Sequence, residues 1–286
     1  MEVFKNKIKD IAVFLVFAAL LIIGTKFDFK ISDSINSNNW GNFFAAAIAK
    51  MPIYFLTIYA CVNLFIAALK KEDKVTKYLM CFIYTLGALL AGMLMFEDIV
   101  EMFDVSKIVK YVIALAIGCA LIAYLYFVLK DQSEAQMANK KEYLVIIISV
   151  AIIVVLTFAI KSIMDRTRFV DILQQKGEFT PWYKRGTGGD SMPSGHMAMA
   201  TALFAAIPYF KKINLFKGFN YLYYPVIFVY AALVGLSRIS FGMHFMSDVA
   251  VAAILGFCVS KVVTWILLGF KEDNLDIKEG GFLAKL

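Results

Sequence analysis

The sequence predicts an all-α fold, a polytopic membrane helix bundle with about eight transmembrane helices. Composition is the first sign: 61% of the 286 residues are hydrophobic and mean hydropathy is +0.73. Charge is the second, because only 18% of residues are charged, against roughly a quarter in soluble domains. The third is spacing. The charges are bunched, and the uncharged apolar runs between them approach the roughly 20 residues that cross a bilayer. Lipid offers no partner for free N–H and C=O groups, so such runs must be helical.

The first run, about 10–26, follows Lys5, Lys7 and Lys9 as a secretory leader would. The residues after it, Lys26-Phe27-Asp28, lack an Ala-x-Ala-like cleavage site, so it reads as a retained span. Residues 28–50, with SDSINSNNWGNFF, are too polar to cross and read as an outer interfacial or re-entrant segment, with Trp40 at headgroup level. Spans at 51–69, 78–96 and 110–129 follow, separated by KKEDKVTK and by an acidic loop holding Glu97, Asp98, Glu101 and Asp104. After the polar loop 131–142 come spans at 143–160, 194–210, 219–237 and 246–268. In the last of these, Lys261 is expected to snorkel to the inner interface beside Trp265. This organisation gives N-terminal spans in 1–142, a core in 143–270 and a tail in 271–286. Cys61, Cys81, Cys119 and Cys258 each fall inside an apolar run, without the close pairing of a zinc or redox motif, and read as small hydrophobes.

With both termini inside, the inner segments carry sixteen Lys/Arg and the outer ones twelve, the orientation that the positive-inside rule favours. Six of the twelve sit in one outer stretch, 161–195, which breaks the rule. The net charge of +7 fits topology and anionic lipid, and no nucleic-acid motif accompanies it.

The chemistry-bearing residues gather at the outer ends of the last four spans. GTGGDS lacks the Gly-Lys-Ser/Thr ending of a P-loop, and its glycines suit a turn. Pro193-Ser194-Gly195-His196 then opens a span, and a helix N-terminus is an anion site. In SRISFGMHFMSD, His244 and Asp248 are four apart, so on a helix they share a face and the carboxylate can hold one imidazole nitrogen. Arg238 lies nearby at the end of the preceding span. Lys161 and Arg168 are seven apart at the end of the fifth span; an ion pair of Lys161 with Asp165 is the plainer alternative. Three cations around two histidines and a helix N-terminus make a site for a phosphate dianion.

Lys161…Arg168, Pro193–His196 and Ser237-Arg238…His244…Asp248 resemble, in order and spacing, the three-part signature of the type-2 phosphatidic acid phosphatase (PAP2) superfamily, which also includes vanadium haloperoxidases. One position departs: Phe169 stands where the signature has proline, which leaves Arg166 as a substitute for Arg168. The resemblance implies that His244 attacks phosphorus, that Asp248 fixes its tautomer, and that His196 protonates the leaving oxygen and then activates water. It also implies that Lys161, Arg168, Arg238, the Ser194 hydroxyl and the Gly195 amide hold the phosphate oxygens, with no metal and no cofactor. The expected partner is a lipid phosphate in the bilayer: phosphatidate, phosphatidylglycerol phosphate or polyprenyl pyrophosphate. A bacterial cell membrane with an extracytoplasmic site is the expected location. Trp182 and Tyr183 are candidate interface anchors. A lipid phosphotransferase using the same site and a non-catalytic lipid transporter or binder are the alternatives.

Overall fold

The computed structural model describes residues 2–37, 48–100, 105–132, 138–186 and 188–269, with side chains from Ile8 onward. Trp40, Glu101, Asp104 and the tail 271–286 lie outside the described residues. Among those described there are helices and loops and no strand. The long helices α1 (Glu2–Ile35), α2 (Met51–Leu69), α3 (Lys74–Val100), α4 (Lys107–Leu129) and α5 (Lys140–Met164) come first. The short α6 (Phe169–Leu173), α7 (Gly195–Ala202) and α8 (Ile207–Lys212) follow, then α9 (Tyr223–Ser240) and α10 (Met246–Leu268). Among the described residues, seven helical stretches are long and apolar enough to cross a membrane: Ile8–Ile35, Met51–Leu69, Lys74–Val100, Lys107–Leu129, Lys140–Leu173, Asn220–Ser240 and Met246–Leu268.

The helix expected at 194–210 is present in two parts, α7 and α8, joined by a 3-10 turn at Leu203–Ala206. It is not among the seven, and its place in the bundle explains why. Met197 through Ile207 are all buried, so this helix meets protein on every side and its composition answers to packing rather than to lipid. α7 packs on α5, α9 and α10, while α10 also packs on α1 and α5. At Gly256 of α10 a Cβ would lie 2.6 Å from the Ala198 carbonyl oxygen and would collide with the Thr201 hydroxyl. Glycine is what lets these two central helices approach. Helices α2, α3 and α4 form a second group, and α2 joins it to α5.

One expectation for the end of a span is corrected, and Lys261 near the end of another gains partners. Lys26, Phe27 and Asp28 read as the end of the first span, yet α1 continues to Ile35. Asp28 is 4% and Ser32 0% exposed, so one face of this extension packs against the protein. Lys261 does not snorkel alone: its Nζ lies 2.7 Å from Asp10 Oδ1 and donates to the Tyr224 hydroxyl. Tyr224 in turn donates to Asp10 at 2.7 Å, which ties α1, α9 and α10 together. The four cysteines are free thiols, with Cys61 buried and Cys119 exposed.

Candidate active site

The site is organised by the loop between α6 and α7 folding back on the segment after α5. Asp165 ends α5 in the left-handed region, at φ 52°. The glycines of GTGGD do more than turn the chain. A Cβ at Gly186 would lie 2.8 Å from Arg166 Cα, and one at Gly189 would lie 2.6 Å from Thr167 Cα. That close approach lets the Gly186 N–H donate to the Met164 carbonyl at 2.7 Å and the Ser191 N–H to the Arg166 carbonyl at 2.9 Å.

Arg166, expected as a substitute phosphate ligand, is instead fully buried. Its Nη1 donates to Asp248 Oδ1 at 2.5 Å and to the Ser247 hydroxyl at 2.8 Å. Its Nη2 donates to Asp28 Oδ2 at 2.9 Å, and its Nε to the Thr180 carbonyl at 2.8 Å. The guanidinium also lies over the Phe245 ring, 4.3 Å from its centroid, a favourable cation–π geometry. Asp28 accepts from the Ser247 N–H at 2.8 Å. A carboxylate of α1 thus caps α10, where unsatisfied N–H groups and the positive end of the helix dipole favour an anion.

His244 and Asp248 do not share a helix face. His244 precedes α10, whose N-cap is Phe245, and Asp248 accepts from the Phe245 N–H at 2.8 Å. The partner of His244 is the Ser191 carbonyl, 2.6 Å from Nδ1. A carbonyl only accepts, so Nδ1 carries the hydrogen and Nε2 keeps its lone pair. Asp248 acts one step removed, accepting the Ser191 hydroxyl at 2.6 Å. Burial first, and then the charges of Arg238, Lys161 and Arg168, hold the His244 pKa well below its usual value, so the ring is neutral near pH 7.

A cavity of about 340 Å³ gathers Lys161, Arg168, Gly195, His196, Arg238 and His244. Of the expected set, Ser194 and Asp248 are not on its lining. Ser194 is the N-cap of α7, so Pro193 stands before the helix rather than in its first turn. Lys161 does not pair with Asp165, which lies 3.6 Å from Arg185. Its Nζ donates to the Asp190 carbonyl and lies 3.9 Å from the Asp190 carboxylate. Arg168 grips that same carboxylate at 2.7 and 2.8 Å. Phe169 occupies the first position of α6, with Arg168 as its extended N-cap. Proline favours that position too; here an aromatic side chain fills it, fully buried against Phe29 and Phe245. Trp182 is no free anchor, since its indole donates to Thr25 of α1 at 2.8 Å.

The cavity has a wall that the motifs do not contain. Lys50, Tyr54, Leu94, Glu97 and Asp98 line it from α2, α3 and the residue before α2. Lys50 Nζ lies 2.7 Å from Asp98 and 3.4 Å from Glu97, and Asp98 Oδ2 lies 3.3 Å from His196 Nε2. The acidic cluster at 97–104 was legible as charge, but nothing in its spacing tied it to a histidine 98 positions later. Among the described residues, no group of three His, Cys, Asp or Glu side chains is arranged to hold a metal.

A family model described as the PAP2 superfamily matches residues 142–271. Phosphatidylglycerophosphatase B of Bacillus subtilis (strain 168) is 33% identical over 84 residues, covering 29% of this chain and 39% of that relative. No solved structure matches. The stretch so matched, residues 142–271, holds all three motifs and is similar to the PAP2 superfamily.

Proposed function

We propose that the chain is a phosphatase that removes phosphate from a membrane lipid phosphate through a phosphohistidine on His244. The observation that carries this reading is the single cavity on which both histidines of the chain and the cations Lys161, Arg168 and Arg238 converge. In the first half-reaction the lone pair of His244 Nε2 forms an N–P bond while the P–O bond to the lipid breaks. The departing oxygen takes a proton from His196. In the second half, His196 removes a proton from water as that water attacks phosphorus, and the N–P bond breaks to release phosphate. Lys161, Arg168 and Arg238, with the Gly195 amide at the start of α7, hold the equatorial oxygens as charge shifts. The Ser194 hydroxyl, fully buried and without a hydrogen-bond partner among the described residues, is available to turn toward the same oxygens. Asp248 orients His244 through Ser191 rather than by touching it. As written, the reaction uses only these side chains and water.

The substrate keeps its tails in the bilayer and presents its phosphate at the extracytoplasmic face of a cell membrane, with both termini cytoplasmic. We put phosphatidylglycerol phosphate first among the candidates, ahead of phosphatidate and polyprenyl pyrophosphate, a ranking that the relative's name supports. The test is phosphate release from these three lipids and from a soluble ester, by protein purified in detergent without added metal. Release that His244→Ala abolishes supports the reading. Release undiminished in that variant overturns the nucleophile, and transfer to a second alcohol in place of water would identify a phosphotransferase.

A further inference from the structure

Asp98 stands outside the three motifs and outside residues 142–271, yet it is the carboxylate that faces His196. The two atoms concerned, Asp98 Oδ2 and His196 Nε2, are 3.3 Å apart. Both are sealed from solvent, and neither has an aligned hydrogen-bond partner among the described residues. A carboxylate this close to a buried imidazole favours the charged form of the ring. Lys50 Nζ lies 2.7 Å from that same Oδ2.

Charge supplies the second argument. To protonate a leaving oxygen, His196 must carry a positive charge in a cavity already lined by Lys50, Lys161, Arg168 and Arg238. Each of these opposes that charge. Asp190 is committed to Arg168 and Lys161, and among the described residues the carboxylate within ion-pair distance of the imidazole is that of Asp98.

Resting on the phosphatase reading above, we infer that Asp98 is a positioning residue for His196, holding its ring and favouring its protonated form as the leaving group departs and again as water is activated. Helix α3 would then contribute to catalysis as well as to the membrane bundle.

The experiment compares wild type, Asp98→Asn, Asp98→Glu, His196→Ala and the double variant Asp98→Asn/His196→Ala. Two substrates are used in detergent: a soluble alkyl phosphate, whose leaving oxygen needs a proton, and p-nitrophenyl phosphate, whose leaving group does not. General acid catalysis contributes on the order of 10²–10⁴, so disturbing the acid through its partner should lower kcat on the alkyl ester by about tenfold or more. The loss on the aryl ester should be much smaller, KM should change little on either, and Asp98→Glu should recover part of kcat. In the His196→Ala background, Asp98→Asn should remove nothing further. The retained aryl activity also reports a folded protein. Equal loss on both substrates, a change confined to KM, or additive losses in the double variant would each overturn the inference. If the wild type releases phosphate and His244→Ala does not, while Asp98→Asn behaves as wild type, this inference fails and the phosphatase reading survives. If the wild type releases phosphate from nothing, both fall.

Discussion

Arg166→Met removes one cation from between two carboxylates, and the structure sets the scale of the damage. Asp28 is 4% and Asp248 0% exposed, so neither can recover its loss from water. Each keeps two other donors: Asp28 the N–H and hydroxyl of Ser247, Asp248 the Ser191 hydroxyl and the Phe245 N–H. Stranding a buried partner costs about 3–5 kcal/mol, and because one guanidinium serves both acids the figure should not be doubled. At roughly 2–4 °C per kcal/mol for a chain approaching this size, the melting temperature should fall by about 6–20 °C. The assay is a thermal melt in detergent followed by tryptophan fluorescence, with residual phosphatase activity measured in parallel. Adding Asp28→Asn should recover part of the loss, because one of the two stranded charges is then gone. A melt of Arg166→Met indistinguishable from wild type, or a double variant less stable than the single one, would refute the view that Arg166 is a keystone.

Three further outcomes follow from the geometry. Asp190→Asn should tighten inhibition by inorganic phosphate or vanadate about two- to fivefold, because Lys161 and Arg168 no longer surrender a half-exposed carboxylate worth up to about 1 kcal/mol; weaker inhibition in that variant would show that Asp190 helps hold the anion. Gly256→Ala should destabilise by about 1–3 kcal/mol through overpacking, read as a lower melting temperature, since the obstructing Ala198 oxygen is backbone. The depressed pKa of His244 contributes stability that is fully present above the unfolded value near 6.5 and lost as pH falls from there toward the folded value; His244→Gln should therefore flatten the dependence of melting temperature on pH over that window, and an unchanged slope would count against it.

The sequence made the bundle legible because lipid imposes one rule on every span, and the motifs were legible because their spacing is local. What escaped it depended on partners far along the chain. The end of α1 was misplaced because Lys26 and Asp28 look like a water-facing flank, whereas Asp28 is neutralised by Arg166, 138 positions away. Asp248 was expected beside His244 by helical spacing, but α10 begins only after His244, so the Ser191 carbonyl takes that role. Six of the eight expected site residues line one cavity. Ser194 and Asp248 stand behind it for reasons of helix capping that a four-residue interval does not reveal. Arg166 was grouped with Arg168 because both are cations on one short segment, and only burial separates their tasks.

The cap that Asp28 places on α10 has a consequence in time. Its acceptor oxygens are made 219 residues before the Ser247 N–H they receive. During synthesis the first helix must therefore wait, with its acid unmatched, until Arg166 and then the last helix emerge. The loop bearing His244 acquires its final support only when the oldest part of the chain closes against the newest. On the phosphatase reading above, a partly made chain that holds Lys161 and His196 but not yet α10 would lack the support that Asp248 and Ser247 give the loop bearing His244.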